Sequence, residues 1–129
     1  MNLQRLAVVL TALVWSFSVH AEVKLDSADE LIGSWILTAE AAKLEGEKKA
    51  LDVVWNFQKD GVLATKSRDT FGRTKSFRVD LKYSVEDGVL RKQSSPGREK
   101  YETCSVIEKS STDMILKCKY LYFFLQKKG

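Results

Sequence analysis

From Phe77 to Glu86 apolar and polar side chains alternate without a break, Phe77, Val79, Leu81, Tyr83 and Val85 against Arg78, Asp80, Lys82, Ser84 and Glu86. A period of two sends these sets to opposite faces, so the segment reads as a strand with one buried and one wet face. The same rhythm recurs on both sides of it. Val53, Trp55 and Phe57 alternate with Val54 and Asn56, and Lys59-Asp60-Gly61 then supplies a tight turn into a strand over Val62 to Lys66. Glu86-Asp87-Gly88 repeats that turn chemistry and leads into Val89 to Gln93, which Ser94-Ser95-Pro96-Gly97 ends. Tyr101 to Glu108 opens the next strand. Met114 to Gln126 is long and aromatic and reads as two strands with a tight turn near Lys119, or as one bent strand.

Two segments depart from this pattern. Ser27-Ala28-Asp29-Glu30 is a capping box, with the serine accepting from the third residue's N–H and the glutamate reaching back. It predicts a short helix around Ala28 to Ile32 that stops at Gly33. Ala39 to Ala50 is rich in Ala, Glu and Lys and reads as a charged loop with one helical turn at most. Seven or eight sequential strands joined by short turns predict an all-β, antiparallel up-and-down meander, and closing it into a barrel removes its exposed edges. An eight-stranded barrel has room inside for side chains or one small ligand.

The N-terminus carries Arg5, an apolar run from Leu6 to Val14, and Val19-His20-Ala21, where small residues suit a signal peptidase. The run is shorter than the roughly 20 residues of a spanning helix. Residues 1–21 therefore read as a cleaved export signal, and residues 22–129 as one domain in the periplasm or outside the cell. Cleavage removes Arg5 and lowers the net charge from +4 to +3. It also removes His20, the single histidine of the chain. Without that residue no Ser-His-Asp or Cys-His arrangement can be assembled, and no Gly-rich phosphate loop occurs. Export favours a bridge between the two cysteines, which leaves a zinc site only carboxylates. The expectation is a protein without catalytic residues, metal or cofactor. Glu86-Asp87, the remaining pair of adjacent acids near a strand, sits in a turn and reads as solvated.

Leu31-Ile32-Gly33-Ser34-Trp35, a short helix followed by Gly-x-Trp at the start of the first strand, resembles the opening motif of lipocalins. Val54-Trp55-Asn56-Phe57 before Asp60-Gly61, Tyr83-Ser84 before Asp87-Gly88, and Thr112-Asp113-Met114-Ile115-Leu116 continue a rhythm similar to that of short bacterial lipocalin-like domains. The resemblance spans about residues 28 to 127. It implies a calycin-type barrel in which Trp35, placed by Gly33, seals the narrow base and a basic residue near the last strand packs across it. No arginine follows Arg98, so Lys127 or Lys128 has to serve, and an ammonium lacks the planar stacking of a guanidinium. Thr112-Asp113 lacks the tyrosine that follows it in that family and reads as an ordinary hairpin turn.

If the hairpin before Met114 bends at Ser111, residues whose numbers sum to 222 face each other, which pairs Glu108 with Met114, Val106 with Leu116 and Cys104 with Cys118. Directly opposed residues lie about 4.5 to 5.5 Å apart at Cα, within disulfide range. The absence of a Cys-x-x-Cys spacing argues against a redox pair.

In a meander the connections alternate between the two barrel ends. The third-to-fourth connection carries Lys66, Arg68, Asp69, Arg73 and Lys75, and the fifth-to-sixth carries Arg91, Lys92, Arg98, Glu99 and Lys100, each at net +3. The other end, with Lys59, Asp60, Glu86, Asp87, Glu108, Lys109 and Asp113, has net −3. The resemblance makes the basic end the open mouth. Two functions follow. One is a carrier or sensor of a small amphipathic anion such as a fatty acid or lipid, its tail among Trp55, Phe57, Phe77, Val79, Leu81, Tyr83 and Tyr101 and its head near Arg73, Arg91 or Arg98. The other is a protein-binding module, an inhibitor, immunity or assembly factor, that meets an acidic protein partner through basic loops around Phe71. A monomer is expected, and the modest charge argues against nucleic acid.

Overall fold

The structure, a computed structural model, describes residues 22–67 and 77–128. Eight strands follow one another: β1 (Gly33–Ala41), β2 (Lys48–Phe57), β3 (Val62–Ser67), β4 (Phe77–Glu86), β5 (Val89–Gln93), β6 (Tyr101–Lys109), β7 (Asp113–Lys117) and β8 (Tyr122–Lys127). Each pairs antiparallel with the next, and β1 pairs with β8, so the sheet closes into an up-and-down barrel. Closure pairs the first and last strands with each other and so removes the two end edges of the sheet, while Phe77–Lys82 of β4 ladder only with β3. The expected all-β barrel is therefore present with eight strands, and the final aromatic segment is two strands joined through residues 118–121. The expected signal segment, residues 1–21, lies outside the described residues.

The turns form for the reasons their composition suggests. Gly61 and Gly88 have φ of +84° and +83°, and Asp87, at +53°, is the non-glycine residue that tolerates the left-handed region before Gly88. The Asp60 carboxylate accepts from the Val62 amide at 3.1 Å and tightens the β2–β3 turn. In the β6–β7 turn, Ser110 Oγ accepts from the amides of Thr112 and Asp113, and Thr112 donates to Asp113 at 2.7 Å. Thr112-Asp113 is thus part of a hydroxyl-braced hairpin turn.

Three local expectations are revised. The capped segment is a single 3-10 turn, Ala28–Glu30, not a helix reaching Ile32. Ser27 accepts from the Asp29 amide at 3.2 Å, and Glu30 reaches past it to the Asp26 amide at 2.6 Å, so the cap is reciprocal but displaced. The Ala39 to Ala50 segment keeps a loop at residues 42–47, but its two ends are strand. Ala39 faces Ala50, Glu40 faces Lys49 and Ala41 faces Lys48. An opposed Glu–Lys pair and two completed ladders override the helix preference of this composition. Between β6 and β7 the 222 register holds at Val106 and Leu116, but a bulge then puts Glu108 opposite Ile115 and Lys109 opposite Met114. The extra residue, Ile107, shifts every pair nearer the turn by one. Cys104 and Cys118, on the unshifted side, are joined, with their Cα atoms 4.1 Å apart.

The closed end is the most tightly filled part of the core. Trp35 is 1% exposed and donates its indole N–H to the Leu31 carbonyl at 3.0 Å. Leu31, Phe57, Leu63, Leu90, Met114 and Leu125 are buried around and above it. Lys127 lies 4.7 Å over the Trp35 ring and donates to the Ile32 carbonyl at 2.9 Å. Of the two lysines expected to cover the tryptophan, Lys127 is the one that does. Gly33 has φ +121°, and a Cβ there would come within 2.6 Å of Lys127 Nζ, so the glycine of Gly-x-Trp is required twice, by its backbone and by the ammonium beside it. The N-terminal segment runs along this end, where the Val23 amide donates to Val106 and the Leu25 amide to Gly88.

Candidate functional site

Toward the opposite end, where β1, β3, β5 and β7 finish and β2, β4, β6 and β8 begin, the interior loosens. Inward positions there, Leu51, Val53, Val79 and Phe123, pack against the core but are only partly buried. Trp55 and Phe123 face each other with ring centroids 5.4 Å apart, and Trp55 meets Phe57 edge-on at 6.2 Å. Phe57 in turn meets Tyr83 edge-on at 5.1 Å. These rings form the floor of a mouthward, aromatic interior.

Into that interior projects a charged pair. Lys92 and Glu102 are opposed across β5 and β6, on the same inward face as Leu90 and Cys104. Lys92 is 6% exposed, and its Nζ lies 3.2 Å from Glu102 Oε1. The ammonium also sits 5.7 Å from the Trp55 ring and 5.9 Å from the Phe123 ring. Burying a charge in apolar surroundings is costly unless it is paired, and here one carboxylate and two ring faces share the compensation. An ammonium carries three N–H donors, and its charged partner here is a single carboxylate, so donor capacity is left for an entering anion. Glu102 Oε1 is also 3.7 Å from Cys104 Sγ. Glu102, Cys104 and Cys118 form a tight group, but bridged sulfurs offer no thiolate for a metal.

The residues expected at a ligand are only partly brought together. Trp55, Phe57, Leu81 and Tyr83 are buried inside the barrel and Val79 lines it nearer the mouth. Burial raises the Tyr83 phenol above its ordinary pKa, with the charges of Asp60 and Asp29 adding to the shift, so Tyr83 is a neutral donor, directed at the Gln58 carbonyl. Phe77 belongs to the inward set by parity but stands at the rim, 67% exposed. Arg91 and Tyr101 occupy the outer face instead of the interior. The Arg91 guanidinium lies 4.2 Å over the Tyr101 ring, and Arg91 Nη1 is 3.5 Å from Glu86. Arg98 is exposed in the β5–β6 connection, where its carbonyl accepts from Gln93. Arg73 and Phe71 lie outside the described residues. The interior cation is therefore Lys92, which the charge count had placed in a basic loop. Parity alone leaves its position open, since Val89 and Leu90 are both apolar; the β5–β6 register puts Lys92 on the inward face of Leu90.

A cleft of about 430 Å³ lies over β1, β7 and β8, lined among others by Thr38, Ile115 and Phe124. Lys48 Nζ lies 4.1 Å over the Phe124 ring in it. Among the described residues no helix is long and apolar enough to cross a membrane.

An eight-stranded antiparallel meander, closed on itself and plugged at one end by a tryptophan after Gly-x, is a lipocalin-like barrel. Among solved structures, a lipocalin-like protein from Bacteroides uniformis superposes with a TM-score of 0.62 at 19% identity, covering 77% of this chain and 99% of that one. An uncharacterized protein from Bacteroides eggerthii superposes with a TM-score of 0.60 at 17% identity, covering 75% of this chain and 98% of that one. No family model matches the chain, and no curated protein matches its sequence.

Proposed function

We propose that this protein is an exported, non-catalytic carrier or sensor of a small amphipathic anion, of the fatty acid or lipid class. The observation that carries the reading is Lys92, a buried ammonium paired with Glu102 inside an aromatic interior that loosens toward one end. The anionic head meets Lys92, and the tail runs past Trp55, Phe123, Val53 and Val79 toward the mouth. The disulfide is compatible with an exported protein. The fold neighbours support a binding role in that their barrel is the lipocalin-like one.

The test uses protein purified without refolding. Native mass spectrometry is expected to show a copurified lipid, and delipidated protein is expected to enhance the fluorescence of cis-parinaric acid. Lys92→Met together with Glu102→Leu keeps the volume and removes both charges, and should weaken probe binding at least about tenfold, one charged hydrogen bond's worth. Absence of copurified lipid together with no probe binding overturns the carrier reading in favour of a protein-binding module.

A further inference from the structure

The described residues expose three large hydrophobic side chains, and two of them mark the same end. Val23, 37% exposed, is in the N-terminal segment at the closed end. Phe77 begins β4 at the mouth and is 67% exposed, while Tyr120, at the tip of the β7–β8 turn, is 75% exposed. In the ring order β4 and β8 stand four places apart, so the two aromatics occupy opposite sides of the mouth. Scattered single hydrophobics need no account, but two large rings at opposite points of one rim put apolar surface on both sides of that end.

The net charge around that rim is positive. Counting the mouth-side connections with two strand residues on either side, cations outnumber anions by five among the described residues. At the closed end, with the N-terminal segment and Lys128, anions outnumber cations by four. Basic side chains also flank the aromatics closely. Lys119 Nζ lies 5.3 Å from the Tyr120 ring, and Lys117 Nζ lies 6.0 Å from the Tyr122 ring. Aromatic side chains that hold one edge apolar and one wet, set among lysines, match the water–lipid boundary of a bilayer with anionic headgroups. The acidic base then points away from the surface.

We infer that the mouth of the barrel docks on an anionic lipid surface, with Phe77 and Tyr120 entering the headgroup layer and Lys119 and its neighbours meeting the phosphates. The inference does not depend on the barrel carrying a ligand. It is tested by cosedimentation of the purified full chain with vesicles of phosphatidylcholine alone or with about one third phosphatidylglycerol. Partition onto the anionic vesicles should exceed partition onto neutral ones at least about tenfold, and about 0.5 M salt should remove most of the difference. Phe77→Ser with Tyr120→Ser should weaken binding severalfold, and Lys119→Glu should weaken it by about fivefold for each unit of charge changed. All three positions are exposed, and unchanged far-ultraviolet circular dichroism confirms that each variant is folded. Equal partition onto both vesicle types overturns the inference, as does parental binding by the double aromatic variant. Capture of an acidic protein with no affinity for either vesicle also overturns it and assigns the rim to a protein partner.

Discussion

Replacing Gly33 by alanine tests the base of the barrel at its most constrained point. At φ +121° an L-residue is strained by about 1 to 3 kcal/mol. The new Cβ would also lie 2.6 Å from Lys127 Nζ and 3.4 Å from its Cε, so the lysine must swing away. It then gives up its 2.9 Å bond to the Ile32 carbonyl and its place over Trp35. Lys127 is exposed, so solvent screens these contacts and together they contribute about 1 kcal/mol. Gly33→Ala should therefore cost about 2 to 4 kcal/mol. With a urea slope of about 2 kcal/mol per molar, the midpoint falls by about 1 to 2 M. Trp35 and Trp55 fluorescence reports the transition. In a Lys127→Ala background the contact share is already gone, so the same substitution should cost about 1 kcal/mol less, and the double-mutant cycle reads that coupling directly. A Gly33→Ala protein within about 0.5 kcal/mol of the parent would refute the argument, and zero coupling would show that Lys127 does not occupy the space beside the glycine.

Intact mass after alkylation without reductant should show no modified thiol, and Cys104→Ser with Cys118→Ser should cost about 3 kcal/mol, the loop-closure value for a loop of this length. Lys92→Met alone strands the Glu102 carboxylate and should destabilise by about 2 to 4 kcal/mol in denaturant melts, whereas adding Glu102→Leu should restore most of that loss. Above about pH 10 stability should fall with pH: the Tyr83 phenol is raised in the folded state, so the unfolded chain releases that proton first, and Tyr83→Phe should flatten this limb of a pH-dependent melt.

Much of the architecture could be read from local chemistry. Asp60-Gly61 and Asp87-Gly88 force hairpins wherever they occur between alternating runs, and Phe77 to Glu86 admits no conformation but a strand with one dry face. The first hairpin was not readable in this way, since Ala39 to Ala50 favours helix or loop locally and its ends become strand only by pairing with each other and, through β1, with β8. The site was harder for a related reason. Arg91 and Lys92 are adjacent and both basic, and nothing local says which of them faces inward. That choice is made by the β5–β6 register, where Leu90 meets Cys104 and Lys92 meets Glu102. Charge arithmetic found a basic end but not which of its cations turns inward, because solvated and buried lysines look alike in sequence.

The seam between β1 and β8 differs in kind from the other seven pairings. Hairpin ladders join residues close in sequence, Val106 and Leu116 for instance, while the seam joins Trp35 to Lys127 across nearly the whole domain. Because closure entropy grows as the logarithm of loop length, this ladder costs about 2 kcal/mol more to initiate than a ten-residue hairpin. The meander can therefore assemble hairpin by hairpin as a curled ribbon and become a cylinder only at the last step, with the Trp35–Lys127 contact as the clasp. The same geometry sets Lys128 beside the start of β1, as its amide donates to the Ser34 carbonyl at 2.9 Å. A circular permutant that bridges the base from Lys128 to Glu22 and opens the exposed turn at residues 42–47 would turn the seam into a local pairing and make β1–β2 the late-closing ladder.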